Sequence, residues 1–214
     1  MSLLDVLLDM TEKAADTRLF GLVVGVVTNN QDPDGLGRVK VRFPWLSDDE
    51  ESHGARIAVP MGGKERGTYF LPEVDDEVLV AFEHGNVDFP FVLGALWNGK
   101  DKPTESNGNG SNDNRSLTSR SGHVIRFGDR SGGEKIEIID KTGNNRVVIT
   151  SSTNKIAIEA QGDIEITSST GKLKMSAVGV EIASQLGVKI QAQTTVDVSA
   201  NAQVSVKGAL VKIN

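Results

Sequence analysis

The densest stretch of reactive side chains is acidic. Glu73, Asp75, Asp76 and Glu77 fall within five residues, and carboxylates so placed could do acid/base work or hold a metal. They also stand directly before the alternating run Val78–Phe82, where a charged turn opening a strand accounts for them. A second run, Asp48-Asp49-Glu50-Glu51, lacks the glycine and the spaced ligands of a calcium loop and reads as a solvated acidic loop. The three histidines, His53, His84 and His123, are isolated from one another in sequence. None has the spacing of a metal pair or of His-Glu-x-x-His. Ser121-Gly122-His123 lacks the flanking glycines of a nucleophile elbow. Gly-Gly at 62–63 and at 132–133 is followed by no Lys-Ser/Thr, so no phosphate loop is indicated. The chain has no cysteine, which excludes disulfides, thiol catalysis and thiolate metal sites. The expectation is a chain with no catalytic residue, no cofactor and no metal.

The elements that carry these residues are mostly strands. The 214 residues hold ten aromatics and 23 glycines, with a formal charge of −6. Residues 1–100 carry 9 basic and 17 acidic side chains, and residues 101–214 carry 14 and 12. An acidic first half does not suit a phosphate backbone, so no nucleic-acid partner is expected. There is no 18-residue apolar run. Residues 2–16 have the spacing of an amphipathic helix, with Leu4, Leu7, Leu8, Ala14 and Ala15 on one face. A signal peptide is disfavoured by the missing basic start and by Asp5 and Asp9. The segment 1–18 either packs on its own domain or docks a neighbouring protein through Leu4, Leu7 and Leu8. Residues 19–98 read as a small β-barrel. Its expected strands are Leu19–Thr28, Arg38–Phe43, Ala55–Pro60, Gly67–Leu71, Glu77–Glu83 and Phe89–Leu96, parted by Gly/Pro turns. An OB-fold is the first choice. Residues 99–114 contain no apolar side chain and read as a linker. Residues 115–154 are a transition zone, with looser apolar pairs at Ile136/Ile138 and Val147/Ile149.

From 155 to 214 the chain repeats itself. Apolar pairs two apart occur at Ile156/Ile158, Ile164/Ile166, Leu173/Met175, Val180/Ile182, Val188/Ile190, Val196/Val198, Val204/Val206 and Val211/Ile213. The steps between pairs are 8, 9, 7, 8, 8, 8 and 7 residues. Each pair brackets a polar or small residue, the signature of a short strand with one buried face. A single chain wound as a three-sided solenoid would make only about two and a half coils, fewer than stacked repeats need. A flat antiparallel sheet would need hairpin turns of Asn-Gly or Asp-Gly type, which the octads lack. Three identical chains wound together solve both problems. Each octad forms one side of a triangular prism, pairs with strands of the other two chains, and sends its apolar pair to the axis. The pairs from Ile156 to Val206 are thus the expected core of a homotrimer.

Four stretches of residues resemble a known family: Gly37-Arg38-Val39-Lys40-Val41-Arg42-Phe43-Pro44-Trp45, then residues 66–85, then Pro90-Phe91-Val92-Leu93-Gly94-Ala95-Leu96-Trp97-Asn98, and finally Thr118-Ser119-Arg120-Ser121-Gly122-His123. They resemble the central spike proteins of contractile injection machines: phage baseplate assembly protein V, the spike of T-even phages, and the valine-glycine repeat (VgrG) spikes of type VI secretion systems. The resemblance implies an all-β chain, an OB-fold followed by a trimeric triple-stranded β-helix. Two departures stand out. T-even spikes carry a lysozyme between these parts, where this sequence has only residues 99–114. VgrG spikes carry a large hub before the OB-fold, where this sequence has about 18 residues. A separate hub protein is therefore expected. Asp75 stands where the family usually has glycine.

The implied function is structural. The spike ends the inner tube, pierces a target envelope on sheath contraction, and is assembled in the bacterial cytoplasm as part of a phage tail or injection particle. Two alternatives differ in class: a spike-borne cell-wall hydrolase, and an OB-fold module binding glycan or nucleic acid. The hydrolase needs a paired-carboxylate or metal site that no segment can house. Some phage spikes of the family close in an apex with a metal held by His-x-His, and no histidine follows His123. The resemblance to VgrG spikes implies instead a small PAAR-repeat tip protein, docked on Ala209, Leu210, Val211 and Ile213.

Overall fold

The computed structural model describes residues 18–46 and 50–213. The amphipathic segment 2–16, with Leu4, Leu7 and Leu8, lies outside the described residues. Two units divide the chain, residues 1–161 and 162–214. Apart from one 3-10 turn at Glu83–Gly85, the regular elements among the described residues are strands.

The first unit opens with β1 (Val23–Asn29), β2 (Lys40–Arg42), β3 (Arg56–Ile57), the two-residue arms β4 (Gly62–Gly63) and β5 (Arg66–Gly67), β6 (Glu77–Phe82) and β7 (Pro90–Ala95). Five of them form one sheet in the order β2-β1-β6-β7-β3, with β3 parallel to β7. The two ends of this sheet meet: Val39 and Ala55 exchange backbone hydrogen bonds of 3.0 and 2.7 Å just before β2 and β3. The sheet therefore curls into the small Greek-key barrel of an OB-fold.

The barrel closes around inward positions of alternating strands. In β6, Val78, Val80 and Phe82 are buried while the residues between them are half-exposed. They join Val27, Val39, Val41, Phe43, Ala55 and Val92 in one core. Each valine fully buried here contributes on the order of 1.5–3 kcal/mol. Phe43 and Phe82 meet edge to face, with centroids 5.5 Å apart. Gly25 lets β1 and β2 approach, since a Cβ there would lie 2.3 Å from Val41 Cγ1. Asp75 adopts a left-handed backbone with φ of 75°. It thus supplies the turn geometry for which glycine is the usual residue, and its N–H bonds Val27 O at 2.8 Å.

The expected strand Gly67–Leu71 is a correction. The ladder covers only Arg66 and Gly67, paired with Gly62 and Gly63. Glu65, with φ of 55°, turns the chain back, and Tyr69 and Phe70 emerge largely exposed. The pairing is spent in a tight hairpin rather than continued into the barrel.

A second sheet follows within the same unit: β8 (Asn114–Thr118), β9 (Val124–Gly128), β10 (Lys135–Ile139), β11 (Arg146–Thr150) and β12 (Lys155–Glu159). It is an antiparallel meander in chain order. Each connection contains one left-handed residue, namely Gly122, Gly132, Gly143 and Asn154, which lets short polar loops reverse the chain. The expected linker ends one residue early, because Asn114 opens β8. β12 carries Ile156 and Ile158, the first apolar pair of the octads, and it pairs with β11 of its own chain. It pairs along one edge only, as the last strand of the sheet. The left-handed Asn154, with φ of 49°, closes this last hairpin.

The second unit is an extended ribbon. It bends at or beside Gly162, Thr170, Val178, Leu186, Thr194 and Ala202, eight residues apart, and again at Ala209, and shows no strand ladder among its described residues. The residues expected at the axis of a homotrimer are uncovered in the single chain. Ile164, Ile166, Leu173, Met175, Val180, Ile182, Val188, Ile190, Val196, Val198, Val204 and Val206 are all exposed. The departure is largest at the second member of each pair: Ile166, Met175, Ile182 and Ile190 stand at 70%, 69%, 67% and 71% exposure. The reason is physical. An extended segment with no paired neighbour brings no second layer of side chains over its apolar face, so one chain has nothing with which to bury these residues.

Candidate assembly surfaces

The acidic residues of the sequence are parted by the fold. Glu73 ion-pairs with Arg120 at 3.1 Å, and its N–H donates to Asp76 Oδ2 at 2.8 Å. Asp75 forms the left-handed turn, and Glu77 accepts a hydrogen bond from Asn98 Nδ2 at 3.2 Å. Three of the four carboxylates thus serve separate structural contacts around one turn, and Asp75 contributes its backbone to that turn. Of the acidic loop, Asp48 and Asp49 lie outside the described residues. Glu51 pairs with Lys40 Nζ at 3.2 Å. Hydrogen bonds from Thr28 and then Lys40 hold its carboxyl below the usual carboxylate range.

The histidines stay apart. His53 lies 3.9 Å from Asp88 on the surface. His84 sits in the short turn with φ of 49°. His123 Nδ1 accepts the Lys141 N–H at 3.2 Å. Among the described residues, no group of three His, Asp or Glu side chains could hold a metal ion.

One polar cluster escaped sequence reasoning. Asp32 is almost enclosed, its side chain 5% exposed. It accepts hydrogen bonds from the N–H groups of Leu36 at 3.0 Å and Arg38 at 3.1 Å. The Arg38 guanidinium grips it through Nε at 3.0 Å and Nη2 at 2.7 Å, and also contacts Asp34. The Arg38 fork holds the Asp32 carboxyl far below its ordinary value. The cluster ties the β1–β2 loop to itself.

The meander sheet is the distinctive surface. Its register aligns side chains into rows that cross all five strands. One row is Leu117–Ile125–Ile138–Val147–Ile158. Two residues along the strands is a second row, Phe127–Ile136–Ile149–Ile156, headed by Arg115. Both rows lie on one face, because residues two apart share a face. Leu117, Ile125, Phe127, Ile136, Ile138, Ile149, Ile156 and Ile158 are all between 40% and 67% exposed. Ile156 and Ile158, expected in a core, are thus uncovered in one chain: their strand has a backbone partner, but nothing lies over its apolar face. The first row lines an open groove of ≈ 1090 Å³ together with Phe70 and Leu71 of the barrel.

The opposite face is more polar, and its middle row is half-buried or buried. That row is Ser116–Arg126–Glu137–Val148–Ala157. Glu137 is buried under Arg126, at 3.8 Å, and Lys135, at 3.0 Å. Residues 99–113 lie across this face as a strap rather than hanging free. Arg126 Nη2 reaches Glu105 at 2.7 Å, and Asn114 Nδ2 reaches the same carboxylate at 3.1 Å. Burial raises the Glu105 pKa, but the bonds from Arg126, Asn114 and Ser116 outweigh it and leave the group below its ordinary value.

In the ribbon, the apolar pairs from Ile164/Ile166 to Val204/Val206 are 52–72% exposed, the first member of each pair less than the second. Leu210, Val211 and Ile213 are exposed as well, at 74%, 49% and 90%. A run of unpartnered apolar side chains this long marks an interaction surface.

Comparison with known proteins adds two findings. Residues 23–97 match the family of the type VI secretion system/phage-baseplate injector OB domain. The chain is similar to the type VI secretion system spike protein VgrG5 of Pseudomonas aeruginosa, with 38% identity over 40% of this chain and 12% of that protein. It is 34% identical to spike protein VgrG3 of Vibrio cholerae over 38% of this chain and 8% of that protein. It is 28% identical to spike protein VgrG1c of Pseudomonas aeruginosa over 66% of this chain and 19% of that protein. The chain thus spans less than a fifth of the length of these three relatives.

Proposed function

We propose that this chain, whose residues 23–97 carry an injector OB domain, is the structural spike of a contractile injection system. Three copies wind about one axis through their octad tracts. The observation that carries the reading is the number of apolar side chains left uncovered in one chain. Two rows cross the meander sheet, all but Val147 at 40–67% exposure, and the octad pairs from Ile164 to Val206 stand at 52–72%. Three copies bury these side chains against each other, Ile166, Met175, Ile182 and Ile190 among them. Each Ile or Leu that goes from half-exposed to buried gains on the order of 1 kcal/mol. The polar face with its strap then points outward.

The work is mechanical. Sheath contraction supplies force, and a dry, fully hydrogen-bonded rod transmits it to a narrow end without buckling. The chain needs no chemistry of its own for this task, in keeping with relatives that are named spike proteins. The barrel end meets a hub or tube-end protein, with residues 1–18 contributing Leu4, Leu7 and Leu8. Ala209, Leu210, Val211 and Ile213 dock a small PAAR-like tip protein through strand pairing and apolar contact. Assembly takes place in the bacterial cytoplasm, within a tail-like particle. Particles purified from cells lacking the chain test the reading. They should lack a spike at the end of the inner tube and fail to breach target cells. Intact, penetrating particles without the chain would refute it.

A further inference from the structure

Two side chains of the repeat tract stand outside its pattern. Val178 and Leu186 are fully exposed, at 113% and 103%, whereas the paired residues from Ile164 to Val206 lie at 52–72%. Both sit at bends of the ribbon, one octad apart. The bends before and after them carry Gly162, Thr170, Thr194 and Ala202, all small or polar, and only the last bend, at Ala209, again stands beside a large apolar residue, Leu210 at 74% exposure. Large apolar residues at two consecutive corners serve no purpose within one chain.

A three-chain winding gives them a purpose. Each chain advances by one prism face per octad. On any one edge, the corner of one chain is therefore followed, one strand spacing along the axis, by the next corner of a neighbouring chain. That spacing is about 4.8 Å. We propose that Val178 of one copy packs against Leu186 of a neighbouring copy on each of the three edges, and that this clasp sets the register of the rod. The proposal rests on the trimeric reading above and deepens it. Register needs such a device, because near-identical octads allow a chain to slip by eight residues with every apolar pair still on the axis. A slipped chain would set Val178 or Leu186 against a neighbour's corner of another type, and the apolar contact would be lost.

The absence of cysteine makes the clasp directly testable. Val178→Cys with Leu186→Cys places two thiols within the Cα separation of about 4.4–6.8 Å that a disulfide spans, but only between copies. Within one chain the two positions are a full prism side apart, roughly 26 Å for eight extended residues. Mild oxidation should convert the double variant into a covalently closed trimer on a non-reducing denaturing gel. Either single variant should run as a monomer. Light scattering on the same samples separates two failures. A trimer by mass that does not cross-link overturns the clasp alone, as does cross-linking by a single variant. A monomer by mass overturns the trimeric reading with it. A noncovalent check uses Val178→Ser with Leu186→Ser, which should lower the melting temperature of the rod by several degrees, while Thr170→Ser with Thr194→Ser leaves it unchanged. Equal melting of the two variants overturns the clasp.

Discussion

Asp32 shows how much a single carboxylate can organise. It binds the amides and the guanidinium of its own loop, and its pKa is pulled far below the ordinary 3.8 by Arg38. A carboxyl with a depressed folded-state pKa stabilises the fold fully above its unfolded pKa and loses that contribution as pH falls through the folded value. The β1–β2 loop should therefore stay locked from neutral pH down to about pH 4 and loosen only in stronger acid. The Leu36 and Arg38 amide chemical shifts should be flat over that range. In Asp32→Asn they should differ from wild type already at pH 7, and protease should cut the loop faster. A wild-type titration centred near the ordinary carboxylate value would show that the lock does not form. Arg38 was legible as an outward basic residue of an alternating strand. Its grip on Asp32 was not, because a contact six residues back through a turn leaves no periodic trace. Asp75 was readable in part: a position calling for left-handed backbone takes Asp at modest cost.

At the scale of elements, alternation carried the inference. The pattern Arg38–Phe43 marked Val39 and Val41 as inward, and both are buried to 1% or less. The loose pairs Ile136/Ile138 and Val147/Ile149 lie side by side in the two rows of the meander. In the ribbon the same alternation marks one apolar face, but what covers that face is not written in the period. Ile166, Met175, Ile182 and Ile190 therefore read as core in sequence and are exposed in one chain. Residues 99–113 were opaque for a different reason. Their order comes from Asn side chains capping nearby amides. Asn98 Oδ1 accepts from Lys100 and Asp101 at 2.8 and 2.7 Å, and Asn107 Oδ1 accepts from Asn112 at 2.7 Å. Such turns have no hydrophobic period, so a strap and a free linker look alike in sequence. The octads permit a sharper experiment. Val198→Asp sets three carboxylates on the proposed axis, where a buried unpaired charge costs several kcal/mol, and the rod should fray or fail to assemble. Asp197→Asn, one residue away and on the other side of the strand, should change the melting temperature little. Equal damage from both would reverse the assignment of inside and outside.

For the whole molecule, one property is decisive. A single chain cannot satisfy the second half of this sequence: its meander presents an apolar face without a lid, and its ribbon has no backbone partner among the described residues. Apolar burial rather than charge would hold the proposed three copies together, so the assembly should survive moderate salt. The direct measurement is the mass of the purified full-length chain in solution, by light scattering across a dilution series into the micromolar range. Three times the 22.9 kDa chain gives a predicted mass of 68.7 kDa, unchanged on dilution. A well-folded species of 22.9 kDa would contradict the account.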